Sequence, residues 1–182
     1  MKIKNKLESV KKIKELGLNT FPEELFKKGE EDKVKDFMDR CNADYFAVRS
    51  KEVVGYLPKI DLSKKEVMEE IKNHTLFTVL VSSTTFRPYL LLAGDIKIDK
   101  ENRVWLEASE KGYIKFQKEN PEINICTDIF DKKLDNIPGF DIIFKYIIEH
   151  NLLDVIVEFS VYDRPVGTKN EQAAIFEIRT DY

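Results

Sequence analysis

Asp154-Val155-Ile156-Val157-Glu158-Phe159-Ser160-Val161 runs into a turn and returns as Ala173-Ala174-Ile175-Phe176-Glu177-Ile178-Arg179. Both segments are dense in β-branched and aromatic residues, and the turn signals Asp163, Pro165, Gly167 and Asn170 lie between them. That combination predicts an antiparallel pair. Side chains alternate faces along a strand, so Ile156, Glu158 and Ser160 share one face, as do Ile175, Glu177 and Arg179 on the return strand. With Glu158 across from Glu177, parity holds along the whole hairpin: Ser160 meets Ile175, and Ile156 meets Arg179. The ribbon then carries paired carboxylates with a guanidinium beside them.

Like charges directly opposite on a sheet cost roughly 0.2–1 kcal/mol where exposed, and more where water is excluded. Something should compensate. Hard oxygen ligands held side by side suit Mg2+ or Mn2+, and a neighbouring arginine suits the phosphate oxygens that such a metal carries. The competing reading is a solvated strand face with its charges in water.

A chain of 182 residues can bury a core of its own, which points to one domain, with an N-terminal lobe over residues 1–75 and a C-terminal lobe over residues 76–182. Its 30 basic and 33 acidic residues nearly balance, so there is no whole-molecule attraction to nucleic acid or to an anionic membrane. No apolar run reaches the length of a membrane span, and the basic start Met1-Lys2-Ile3-Lys4-Asn5-Lys6 lacks a signal peptide's apolar stretch; the expected location is the cytoplasm. Cys41 and Cys126 are too few and too far apart for a metal knuckle or a disulfide framework. With His74 and His150 the only histidines, a His-rich metal site is excluded, and no nucleophile motif stands near either.

Helical spacing of Ile3, Leu7, Val10, Ile13 and Leu16, with Gly17 as a stop, predicts a first helix; Glu30 to Arg40 predicts a second. Lys6 sits at the edge of the first apolar stripe, where a lysine ordinarily snorkels. Tyr45 to Ser50 reads as a strand with Arg49 at its outgoing end, and Val53 to Leu57 as its extension. Ser63 with Glu66 reads as a capping box for a helix through Val67 and Ile71. Leu76 to Ser82, Leu90 to Ile98 and Arg103 to Ala108 read as strands, residues 111 to 137 as loop or short helix, and Pro138 as the opening of a helix through Ile142 and Ile147. Helices first and strands later is an α+β order.

In that order, several short blocks resemble the nucleotide-binding domain of the phosphoenolpyruvate synthase and pyruvate phosphate dikinase family, an ATP-grasp fold. Lys6-Leu7-Glu8-Ser9-Val10 with Leu18-Asn19-Thr20-Phe21-Pro22 is similar to the family's opening, and Phe46-Ala47-Val48-Arg49-Ser50 to its arginine strand. Val54-Gly55-Tyr56 with the helix at Ser63 to Lys72 resembles the family's stretch after that strand, and Val104-Trp105-Leu106-Glu107-Ala108-Ser109 resembles the strand before a glycine-rich turn. The closing hairpin resembles the terminal pair, with Glu177-Ile178-Arg179 where the family has Gln-Thr-Arg. Departures are Ile156 in place of an aspartate, a brief Ser50 to Gly55 segment, and a glycine turn reduced to Glu110-Lys111-Gly112.

The resemblance implies two lobes with a mostly antiparallel C-terminal sheet and ATP with Mg2+ (or Mn2+) as cofactors. It also implies that Lys6 and Arg49 contact ATP phosphates, that main-chain groups from Val79 to Val81 receive the adenine, and that Glu158 and Glu177 hold the metal. Arg179 would steady the terminal phosphoryl group. The expected function is ATP-dependent phosphoryl transfer to, or ligation of, an acceptor, with a partner protein able to supply that acceptor. The alternative is a nucleotide-sensing or protein-interaction module without turnover. A nucleic-acid-processing role has only Phe86, Arg87 and Tyr89 in its favour.

Overall fold

The structure is a computed structural model and describes residues 3, 6–50, 59–111 and 121–180. Its elements in chain order are α1 (Lys6–Glu15), β1 (Glu23–Lys27), α2 (Glu31–Cys41), β2 (Phe46–Ser50), β3 (Lys59–Leu62), α3 (Lys64–Glu70) and β4 (Leu76–Val81). They continue with β5 (Leu90–Ile98), β6 (Arg103–Ser109), β7 (Ile123–Asp128), α4 (Phe140–Glu149), β8 (Ile156–Val166) and β9 (Glu171–Arg179). Contacts divide the chain into a smaller unit, Phe21–Pro88, and a larger one, Met1–Thr20 with Tyr89–Tyr182. No helix among the described residues is long and apolar enough to cross a membrane.

The smaller unit is a four-stranded sheet in the order β1-β4-β2-β3 with α2 and α3. Helix α2 buries Val34, Phe37 and Met38, the spacing of one helical face. Phe26 of β1 meets Phe37 at 5.8 Å and Phe77 of β4 at 6.2 Å between ring centroids. Ser63 caps α3 in a reciprocal pair with Glu66, as the sequence predicts. The expected lobe boundary after residue 75 falls just ahead of β4, which here lies between β1 and β2. Val53 to Leu57 lies outside the described residues.

The larger unit is a five-stranded antiparallel sheet in the order β7-β6-β5-β8-β9. Helix α1 packs along β9, and α4 packs against β8 and β9. Ile96, Val157, Phe159 and Ile178 join Ile143 and Ile147 of α4 in one buried cluster. Strand periodicity then sends the alternate residues, Asp95, Lys97 and Glu158 among them, to the opposite face.

Asn19 ties the start of the chain to the closing ribbon. Its buried amide nitrogen donates to the carbonyls of Val166 at 3.0 Å and Ala173 at 2.7 Å, and its carbonyl oxygen accepts from the Lys169 N–H at 2.8 Å. Its own main-chain N–H donates to the Tyr146 hydroxyl at 2.7 Å. A fully buried amide must find such partners or lose its hydration without return.

The structure corrects three readings of the sequence. Residues 123–128, expected as loop or short helix, form β7, with the alternating burial of an edge strand. Helix α4 starts after Gly139, at φ 75, instead of at Pro138; a left-handed entry is open to glycine and closed to proline. In the hairpin, Ser160 faces Ala174 and not Ile175, because the register shifts between Glu158 and Phe159. Phe176 is the extra residue, a bulge that turns Ile175 into the core opposite Phe159 and leaves Glu177 facing Glu158.

Candidate functional site

The ribbon brings Glu158 directly opposite Glu177, and Ile156 opposite Arg179. Across the other side of β8, Glu158 pairs with Asp95 of β5, which pairs in turn with Glu107 of β6. Four acids therefore form one row across four neighbouring strands, with Asn124 of β7 at its end. The next row on the same face carries Trp105, Lys97, Ile156 and Arg179. Residues of the two rows line a cavity of about 460 Å³ that includes Asp95, Lys97, Trp105, Asn124, Ile156 and Arg179. The Lys97 ammonium and the Arg103 guanidinium lie 5.6 and 5.2 Å from the Trp105 ring centre, within cation–π range.

Asp95 and Glu107 are the acids of this row to which the sequence assigned no role, and Asp95 is the one bonded to Arg179. Its Oδ2 accepts from Nη2 of Arg179 at 2.6 Å, so the arginine reaches diagonally over β8. Its Oδ1 is buried and, among the described residues, has no hydrogen-bond partner. The signal was a lone acid inside the apolar run Leu90-Leu91-Leu92-Ala93-Gly94-Asp95-Ile96. What the sequence lacked was the pairing of β5 with β8.

Burial pushes the Asp95 carboxyl above the ordinary aspartate range; Arg179 opposes the shift, and Glu107 and Glu177 reinforce it. Burial alone would lower the Arg179 pKa, but Asp95, Glu177 and Glu158 outweigh it and keep the guanidinium charged. A carboxyl raised on folding binds its proton more tightly in the folded state, so its stabilising contribution is present below the unfolded pKa and is lost as pH rises through the folded value. Asp95→Asn should therefore remove part of the fall in stability across that acidic window. Urea midpoints of the two proteins measured against pH check it, and parallel profiles would contradict it.

Glu158 and Glu177 are the residues that could hold a divalent cation. Among the described residues no group of three or more His, Cys, Asp or Glu side chains is disposed to hold a metal ion. Magnesium nonetheless fits this donor set, because it is commonly held by one or two carboxylates with phosphate oxygens and water completing its shell.

Lys6 opens α1, and its side chain lies outside the described residues. The helix start is nevertheless fixed near the end of β9. The Ser9 hydroxyl accepts from the Ile178 N–H at 2.7 Å, and the Ile3 N–H donates to the Thr180 hydroxyl at 3.2 Å. Arg49, in the smaller unit, is opposite Thr78 on β4, whose buried hydroxyl has no hydrogen-bond partner among the described residues. A carboxylate oxygen of Glu23 is 4.0 Å from Arg49. Val79 and Val81 are buried side chains on the interior strand, flanked by β1 and β2. Their main-chain groups pair with those neighbours, and the Val81 N–H donates to the Pro22 carbonyl at 3.0 Å.

No protein-family profile matches this chain, and no curated protein matches it by sequence. Solved structures match it in fold. D-alanyl-alanine synthetase A from Vibrio cholerae O1 biovar eltor aligns over 97% of this chain and 54% of its own, at 11% identity and a TM-score of 0.51. The macrocyclase MdnC from Microcystis aeruginosa, bound with its precursor peptide MdnA, aligns over 96% of this chain and 51% of its own, at 12% identity and a TM-score of 0.49. N5-carboxyaminoimidazole synthetase from Staphylococcus aureus, complexed with ADP, aligns over 98% and 45%, at 13% identity and 0.49. The chain spans about half the length of the solved structures that it matches.

The fold that this likeness supports is a mixed α+β one with an antiparallel C-terminal sheet, consistent with an ATP-grasp-like architecture. It does not single out the phosphoenolpyruvate synthase family that the sequence blocks resemble.

Proposed function

We propose that this protein binds ATP with magnesium and uses it to phosphorylate or ligate an acceptor. The observation that carries the reading is the direct opposition of Glu158 and Glu177 on β8 and β9, with Arg179 one row away. Glu158 and Glu177 hold the metal, and Lys6, Arg49 and Arg179 supply positive charge to the phosphates. A bound magnesium would neutralise charge on the phosphate oxygens. Phosphoryl transfer asks little covalent chemistry of a protein and depends on position and charge, which is what these side chains offer. The acceptor comes from a separate molecule or a partner protein.

Ile156 supports a second reading, a module that binds nucleotide without turnover, since it places an apolar side chain where the resembling family has an acid. Calorimetric titration of the protein with ATP, with and without Mg2+, tests both. Affinity that depends on the metal is expected. No affinity in either condition overturns the two readings together, and binding with no ATP consumption in the presence of partner and acceptor favours the second.

A further inference from the structure

Asp95 has no part in the roles assigned to the metal and phosphate ligands, yet it is the residue that fixes where the Arg179 guanidinium lies. The arginine leaves β9 opposite Ile156 and could extend into water; instead its Nη2 reaches Asp95 Oδ2, two strands away, at 2.6 Å. Both side chains are largely buried, with 16% of Asp95 and 29% of Arg179 exposed. A charge-assisted bond in partial burial is short and directional. It takes one of the five N–H donors of a planar guanidinium and leaves a fixed fork for another anion.

We propose that Asp95 is the positioning residue for Arg179, holding its guanidinium over the sheet so that the remaining N–H groups face the terminal phosphate of a bound nucleotide. The inference rests on the nucleotide reading of the same site. The identity of the residue matters as much as its charge. Asp95 sits between Glu107 and Glu158 in the acid row. It therefore anchors the guanidinium by a direct hydrogen bond beside the carboxylates taken to hold the metal. Without it, Arg179 has Glu158 and Glu177 as the nearest alternatives, and pairing there would compete with the metal.

The test is titration with ATP and with AMP, both in the presence of Mg2+, of the unaltered protein, Asp95→Asn, Arg179→Ala and the double variant. A positioning role predicts that Asp95→Asn weakens ATP binding by at least about tenfold, the worth of one hydrogen bond to a charged group, while AMP binding changes little. The double variant should bind ATP no worse than Arg179→Ala, because the aspartate acts only through the arginine. Equal losses for ATP and AMP, or losses that add in the double variant, would overturn it. A readout on the unaltered protein stands even where Asp95→Asn does not fold. In nitrogen-15 spectra, the Arg179 Nη groups should give separate, slowly averaging signals without nucleotide, and one averaged signal would overturn the proposal. Failure of the unaltered protein to bind ATP sinks the nucleotide reading and this inference together. Normal binding with an unchanged Asp95→Asn sinks the inference alone.

Discussion

Glu177→Ala lowers magnesium-dependent ATP affinity by about a hundredfold or more, since loss of a direct ligand should exceed the 10–100-fold typical of outer-shell partners. Glu177 faces Glu158 at the same register on adjacent strands, so under the proposed metal-binding role its removal would leave a cation one protein carboxylate in place of two. Stability should not fall with it. The row already sets Glu107, Asp95, Glu158 and Glu177 side by side, and taking out one of several like charges relieves repulsion of roughly 0.2–1 kcal/mol, which offsets the lost attraction between Glu177 and Arg179. A variant that binds poorly yet unfolds at the same or higher urea concentration identifies the pair as a binding device. Loss of both binding and stability would make it part of the scaffold, and unchanged binding would remove the metal from the account. Calorimetry with ATP and Mg2+, set beside urea unfolding, reads both quantities.

The acid pair was legible because strand parity is robust: once Asp154 to Val161 and Ala173 to Arg179 are strands joined by a turn, a face assignment needs only one correct pairing. The end of the ribbon nearest the acids kept the expected register, Glu158 to Glu177 and Ile156 to Arg179. The bulge at Phe176 was not legible, because nothing in Ile175-Phe176-Glu177 signals an extra residue. Its effect is to put Ile175 in the core while Glu177 stays on the site face. Asp95 stands out in its apolar run, but its role was not legible, for a different reason. Its partners come from non-local strand pairing, with Glu158 and Arg179 far along the chain, and a single sequence does not state which strands become neighbours. Strand β7 was missed because an edge strand buries one face only, and its Ile123, Asn124, Ile125, Cys126 alternation is short. Val79 and Val81 show how far a strand reading carries. Their apolar run was readable as a strand, but its interior place between β1 and β2 was not.

Gly94→Ala should unfold the larger unit at markedly lower urea, with a loss of about 3 kcal/mol or more, at the upper end of what overpacking costs. A methyl group at Gly94 would fall against the Glu107 carbonyl oxygen, 2.6 Å from the Ala108 Cα and 2.8 Å from its Cβ. These are mostly main-chain atoms of β6, so no side-chain rotation clears the space, and the strands must part. β5 has no free edge to move towards, since β6 and β8 flank it. The residues displaced are also those of the site. Gly94 precedes Asp95 and pairs with Ala108, next to Glu107, so parting β5 from β6 shifts Asp95 away from its bond to Arg179. Affinity for ATP with Mg2+ should therefore fall with stability, the reverse of the Glu177→Ala pattern. An unfolding free energy within about 0.5 kcal/mol of the unaltered protein's, the ordinary range for a harmless surface change, would show that the close approach of β5 and β6 is not what fixes the acid row.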